Sequence, residues 1–193
     1  MLAKAKKILD KSLELLVTIS MGVLVVDVVL QVIMRYVPKI LAHFSFLQGL
    51  TQFILKHPSS WTEELATFLM IWVGLLGGSV ALNRGAHLGI DYLVMKLSQR
   101  KALYVTLFIF AVIAAFSLLV MVVGGSQLVY RTLITKQVSP ALGLKMGYVY
   151  LAIPISGFFL VIYSIEIFID TLAALIKHKQ TELPHIFKSG TLD

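Results

Sequence analysis

The chain has 193 residues, of which 58% are hydrophobic and 14% charged, with a formal net charge of +7. Soluble domains are about a quarter charged, so this composition belongs in a lipid bilayer. No cysteine is present, which excludes disulfides, thiolate nucleophiles, iron–sulfur clusters and thiolate-ligated zinc. The basic residues sit at the ends of apolar runs, so the positive charge points to orientation in a membrane and not to nucleic acid.

A membrane-crossing helix needs about 20 apolar residues, and four such stretches fit the length. The first, over residues 13–36, follows Lys4, Lys6, Lys7 and Lys11 like the core of a secretory signal. It is too long for one, carries Asp27 and Gln31, and has no small-x-small cleavage site after it, which predicts an uncleaved span. The second span, 61–82, opens with the S-x-x-E spacing of a capping box at Ser60 and Glu63, with Glu64 adding negative charge at the positive end of the helix. Inside it, Gly74 and Gly78 form a G-x-x-x-G face that admits a close neighbour.

The third span covers 102–130. An uncharged helix of that length is about 43 Å long, more than a hydrocarbon core of about 30 Å, so it tilts, projects into water or bends, with Gly124, Gly125 and Ser126 as the expected bend. The fourth, 146–172, is uncharged until Glu166, which together with Asp170 marks its wet end.

Four spans place both termini on one side. Lys4, Lys6, Lys7, Lys11, Arg84, Lys96, Arg100, Lys101, Lys177, Lys179 and Lys188 then share that side, against Arg35, Lys39, Lys56, Arg131, Lys136 and Lys145 on the other. The positive-inside bias predicts cytoplasmic termini. The two longer connections read as amphipathic helices lying flat on the membrane, over about 40–56 outside and 87–98 inside. The expected architecture is therefore one all-α integral membrane domain, four spans with N-in and C-in topology, and two interfacial helices.

Asp27 lies about 13 Å from the outer end of its span. It shares one helical stripe with Gln31 and Arg35. A carboxylate at that depth is a candidate proton carrier. The plainer account is a hydrogen-bonded side chain at a helix contact, favoured because no relay group lies at similar depth in the other spans. His87 and Asp91, four apart, could pair like catalytic groups, but no nucleophile or ligand set accompanies them, so a local hydrogen bond after a Gly85 turn is the simpler reading. The five histidines lie outside the spans, which removes bis-histidine haem ligation. No cofactor or metal site is expected. The segment Gln137–Met146 carries one charge, less polar than a plain loop would be, and reads equally as a turn or as a docking surface.

Together these residues resemble the small, DctQ-like membrane subunit of tripartite ATP-independent periplasmic (TRAP) transporters. The resemblance runs from the first span to about Ile176. It rests on Trp61-x-x-Glu64-Leu65-Ala66, on Arg84-Gly85-Ala86-His87-x-x-x-Asp91, and on Gln137-x-Ser139-Pro140-Ala141-Leu142-Gly143. One departure is the connection from Val37 to Ser60, which is longer than the family's connector. The resemblance implies a non-catalytic partner of a large, DctM-like transport subunit that carries the substrate and Na⁺ sites, and of a periplasmic protein that delivers an organic acid such as a C4-dicarboxylate or sialic acid. The small subunit would be a stationary scaffold in the bacterial inner membrane. The competing possibilities are an independent homo-oligomeric, proton-coupled carrier or channel using Asp27, a membrane hydrolase using His87 and Asp91, and an assembly factor.

Overall fold

A computed structural model describes residues 2–41, 60–85, 96–97 and 99–176. They are helical with short connections: α1 (Leu2–Leu41), α2 (Ser60–Asn83), α3 (Gln99–Phe116), a π-helical segment π1 (Ser117–Gly124), α4 (Gly125–Ile134), α5 (Met146–Tyr150) and α6 (Ala152–Ile176). Four stretches are long and apolar enough to cross a membrane, Lys6–Val37, Ser60–Asn83, Lys101–Ile134 and Met146–Ile176. The protein is a multi-pass, all-helical membrane protein.

Helix ends differ from span ends for a simple reason. Apolar length reports what the hydrocarbon covers, while backbone hydrogen bonding continues into water as long as the residues tolerate it. The lysine-bearing residues before Leu13 therefore extend α1, and Ile40 and Leu41 continue it at the other end. Lys96 and Leu97 form a turn and a bend. The rest of both surface helices, 42–56 and 87–95, lies outside the described residues, as do His87 and Asp91.

Contacts divide the chain into two compact units, one of residues up to Gly74 with Thr132–Val149, the other of Leu75–Arg131 with the residues from Tyr150 onward. In the second unit α6 packs on α3 and π1. The buried stripe on the third span recurs mainly every four residues (Ala102, Thr106, Phe110, then Ser117, Met121), and α6 answers with Ala152, Ser156, Tyr163, Ile167 and Thr171. Most of these contacts are small or short polar residues. That is how helices associate in lipid, where apolar side chains gain nothing by leaving the hydrocarbon and close packing supplies the attraction.

The third span is irregular next to the expected bend at Gly124, Gly125 and Ser126. The irregular stretch is π1, and it ends where Gly125 returns to helical geometry with its N–H shared among the carbonyls of Val120, Met121 and Val122. Glycine is required at 125 because a Cβ would lie 2.9 Å from Ile153 Cγ2 and 3.1 Å from Pro154 Cδ. On α6, a Cβ at Gly157 would lie 2.6 Å from Met121 Cβ and 3.2 Å from the Val122 backbone nitrogen. The Ser79 hydroxyl on α2 also donates to the Ser156 carbonyl at 3.1 Å, with both residues fully buried.

Candidate functional site

The first unit brings two of the motif segments together. The Glu64 carboxylate on α2 accepts N–H bonds from Leu142 at 2.7 Å and Ala141 at 3.1 Å, both on one oxygen. The segment it holds is tightly built. Val138 and Lys145 form an isolated antiparallel bridge. Ser139 N donates to Leu144 O at 2.8 Å, Gly143 N to Ser139 O at 3.1 Å, and Met146 N to Gln137 O at 2.9 Å. Leu144 N donates to the Ser139 hydroxyl at 3.2 Å, and Ser139 is buried. Pro140 has no N–H to place. Gly143 takes φ +65°, which favours glycine, and Lys136 reaches φ 50° as the chain leaves α4.

This pattern explains the low polarity of the segment. Backbone N–H groups must find acceptors, and here several find them in the chain, so the side chains are released from that duty. Val138 and Leu144 are exposed.

Gln31 on α1 places its amide between two acceptors, donating to the Thr62 carbonyl of α2 at 2.8 Å and to Asp27 Oδ2 at 3.1 Å. Asp27 is 4% exposed and Thr62 fully buried, so this polar contact ties the first span to the start of the second. Arg35, the third residue of the stripe, is exposed. Gln31→Ala is expected to lower stability by about 1–2 kcal/mol, because it strips both the buried Asp27 and the Thr62 carbonyl of a donor. The Asp27→Ala/Gln31→Ala pair should cost less than the sum of the two single changes. Thermal melting in detergent measures both quantities, and strict additivity would contradict a shared contact.

Trp61 is exposed at the start of α2. Trp72 is half-buried and lines an apolar groove of about 370 Å³ with Leu16, Leu65, Phe68 and Tyr148. Arg84 and Gly85 close α2, with Gly85 at φ +66° donating to the Leu82 carbonyl, a left-handed helix stop.

Gly74 and Gly78 do not receive a neighbouring helix within the described chain, since a Cβ at either meets nothing within 4 Å. The close approaches occur instead at Gly125, Gly157 and Gly147, where a Cβ would meet Leu133 at 2.5 Å. The sequence reading missed these glycines as packing sites. The available signal was their association with short side chains, Ser156 before Gly157 and Ser126 after Gly125.

Among the described residues no group of His, Cys, Asp and Glu could hold a metal ion. What the side chains form are clasps, a carboxylate on backbone amides and an amide on a helix end, in a membrane protein of four spans.

Comparison with known proteins agrees. The family described as "Tripartite ATP-independent periplasmic transporters, DctQ component" matches residues 24–174. The sialic acid TRAP transporter small permease protein SiaQ of Vibrio cholerae is 28% identical over 60% of this chain and 65% of its own length. The C4-dicarboxylate TRAP transporter small permease protein DctQ of Rhodobacter capsulatus is 31% identical over 50% of this chain and 42% of its own. A stretch of 53 residues, 28% of this chain, is 38% identical to 9% of the sialic acid TRAP transporter permease protein SiaT of Haemophilus influenzae. The chain thus spans less than two thirds of the SiaQ and DctQ relatives in these alignments. It belongs to the DctQ family of TRAP transporter small permease components, which is a family of transporter membrane subunits and not of enzymes.

Proposed function

We propose that the chain is the small permease subunit of a Na⁺-coupled, binding-protein-dependent TRAP transporter for an organic acid of the C4-dicarboxylate or sialic acid type. It works as a stationary scaffold for a large, DctM-like transport subunit and helps receive a periplasmic binding protein. It lies in the bacterial inner membrane with both termini in the cytoplasm, a placement supported by the asymmetry of its lysines and arginines. The observation that carries the proposal is the family match over most of the chain, with relatives named for sialic acid and C4-dicarboxylate transport.

The geometry supports a scaffold in two ways. α1 is largely uncovered, with Val25, Val26, Val29 and Ile33 about half exposed or more, a surface suited to lipid or a large neighbour. The open Gly74 and Gly78 face is available to a helix from outside the chain. Leucine at both positions is expected to leave the melting midpoint of the isolated chain unchanged or slightly raised, since glycine is a poor helix former, while the yield of large subunit co-purified with it falls several-fold. Full co-purification would place the interface elsewhere.

The test of function is Na⁺-dependent uptake into vesicles by the large subunit and binding protein with and without this chain, paired with vesicles holding this chain alone. Uptake that needs the chain, with no flux through the chain by itself, is the expected result. Solute or proton flux from the chain alone, lost in Asp27→Asn, would favour the independent carrier instead.

A further inference from the structure

The first turns of α1 carry a groove of about 470 Å³ lined by Lys7, Ile8, Lys11, Ser12 and Leu15. At 100° per residue, Lys7 and Lys11 stand along one edge, four residues apart and side by side. Ile8, Ser12 and Leu15 form the adjoining strip, and Asp10 and Glu14 fall on the opposite side of the lysine edge. All five lining residues are exposed, Ile8 at 67% and Leu15 at 59%. The two acids and Lys6 are already engaged in interactions within the chain.

The position of the groove gives this arrangement its meaning. Glu14 is the last charged residue before the apolar run that continues from Leu15, so the groove lies where the helix passes from charged to apolar residues. From Lys7 to Leu15 the helix rises about 12 Å, which sets the two lysines, with Ile8 between them in height, above Leu15. A phospholipid has the same order of chemistry along its length, an anionic phosphate followed by acyl chain. A soluble anion would use the lysines and leave Ile8 and Leu15 without a role.

We propose that this groove is a seat for an anionic phospholipid, its phosphate between the Lys7 and Lys11 ammonium groups with Ser12 beside them, its glycerol carbons against Ile8 and the first part of an acyl chain along Leu15. Two cations close to an acidic headgroup bind cooperatively with the apolar contact, because neither the charge nor the burial alone gives residence. This inference does not depend on the transporter reading or on which solute the complex moves.

The test uses the full-length chain purified in mild detergent and native mass spectrometry with equal amounts of phosphatidylglycerol and phosphatidylcholine. The wild type should retain phosphatidylglycerol roughly tenfold better. Lys7→Gln with Lys11→Gln should bring the two lipids level, Lys7→Arg with Lys11→Arg should keep the preference, and Lys145→Gln should leave it intact. Circular dichroism checks that the glutamine variant remains helical. Equal retention of both lipids by the wild type overturns the proposal, as does a preference that survives the double glutamine change. Displacement of phosphatidylglycerol by millimolar inorganic phosphate would also overturn it, by showing an anion site that needs no acyl chain.

Discussion

Gly157→Leu is expected to lower the yield of folded, monodisperse protein several-fold and to drop the melting midpoint of what remains by about 6–12 °C, corresponding to about 3 kcal/mol. The crowding at this position is at the root of the side chain. A Cβ at 157 would sit 2.6 Å from Met121 Cβ and 3.2 Å from the Val122 backbone nitrogen. Neither atom is the free end of a flexible chain, so relief requires α6 to move away from π1. Such a shift would also disturb Ser156, whose carbonyl receives the Ser79 hydroxyl, and the contact of Gly125 with Ile153 and Pro154. Gly157→Ala should show the same sign at smaller size. Gly78→Ala is the contrast, since open space surrounds it and alanine favours helix by about 0.5–1 kcal/mol over glycine. Equal melting midpoints for Gly157→Ala and Gly78→Ala, measured by fluorescence during heating, would refute the close packing of α6 on π1.

That contrast shows which features were legible from sequence. The four spans could be read because apolar length measures hydrocarbon thickness directly, and Lys101 and Arg131 bracket an uninterrupted run. The π1 stretch could not. Its sequence, SLLVMVVG, is apolar like the end of α3 before it, and its backbone geometry accompanies the fit of Gly125 against α6 and of Gly157 against π1. A G-x-x-x-G spacing is visible in one helix by itself, which is why Gly74 and Gly78 attract notice. An isolated glycine facing a methionine more than thirty residues away leaves no periodic trace. Likewise, both Glu64 and the Gln137–Gly143 segment stand out as motifs, yet nothing in either names the other, because a single carboxylate reaching over 77 positions is a fact of tertiary structure alone.

The second large effect follows from that carboxylate. Glu64→Ala is expected to release the segment from Ser139 to Leu144, with amide hydrogen exchange at Ala141 and Leu142 accelerating by about tenfold to a hundredfold and a global cost near 2 kcal/mol. Two backbone N–H groups share one Glu64 oxygen, and bonds to an ionised acceptor contribute more than neutral ones. Removing the acceptor leaves both donors to water or to nothing. The low polarity of the segment makes this worse, since Val138 and Leu144 are exposed and Pro140 offers no donor. Glu64→Gln should fall between, because its amide oxygen can still accept but carries no charge, and Glu64→Asp should behave like alanine, its shorter chain failing to span the distance. If the segment is where a periplasmic binding protein is received, Glu64→Ala should weaken uptake at low binding-protein concentration and recover as that concentration rises, because the surface is still present but no longer preorganised. Unchanged exchange at Ala141 and Leu142 would show that the clasp does not hold the segment. Accelerated exchange with unaltered uptake would keep the clasp and remove docking from this part of the chain.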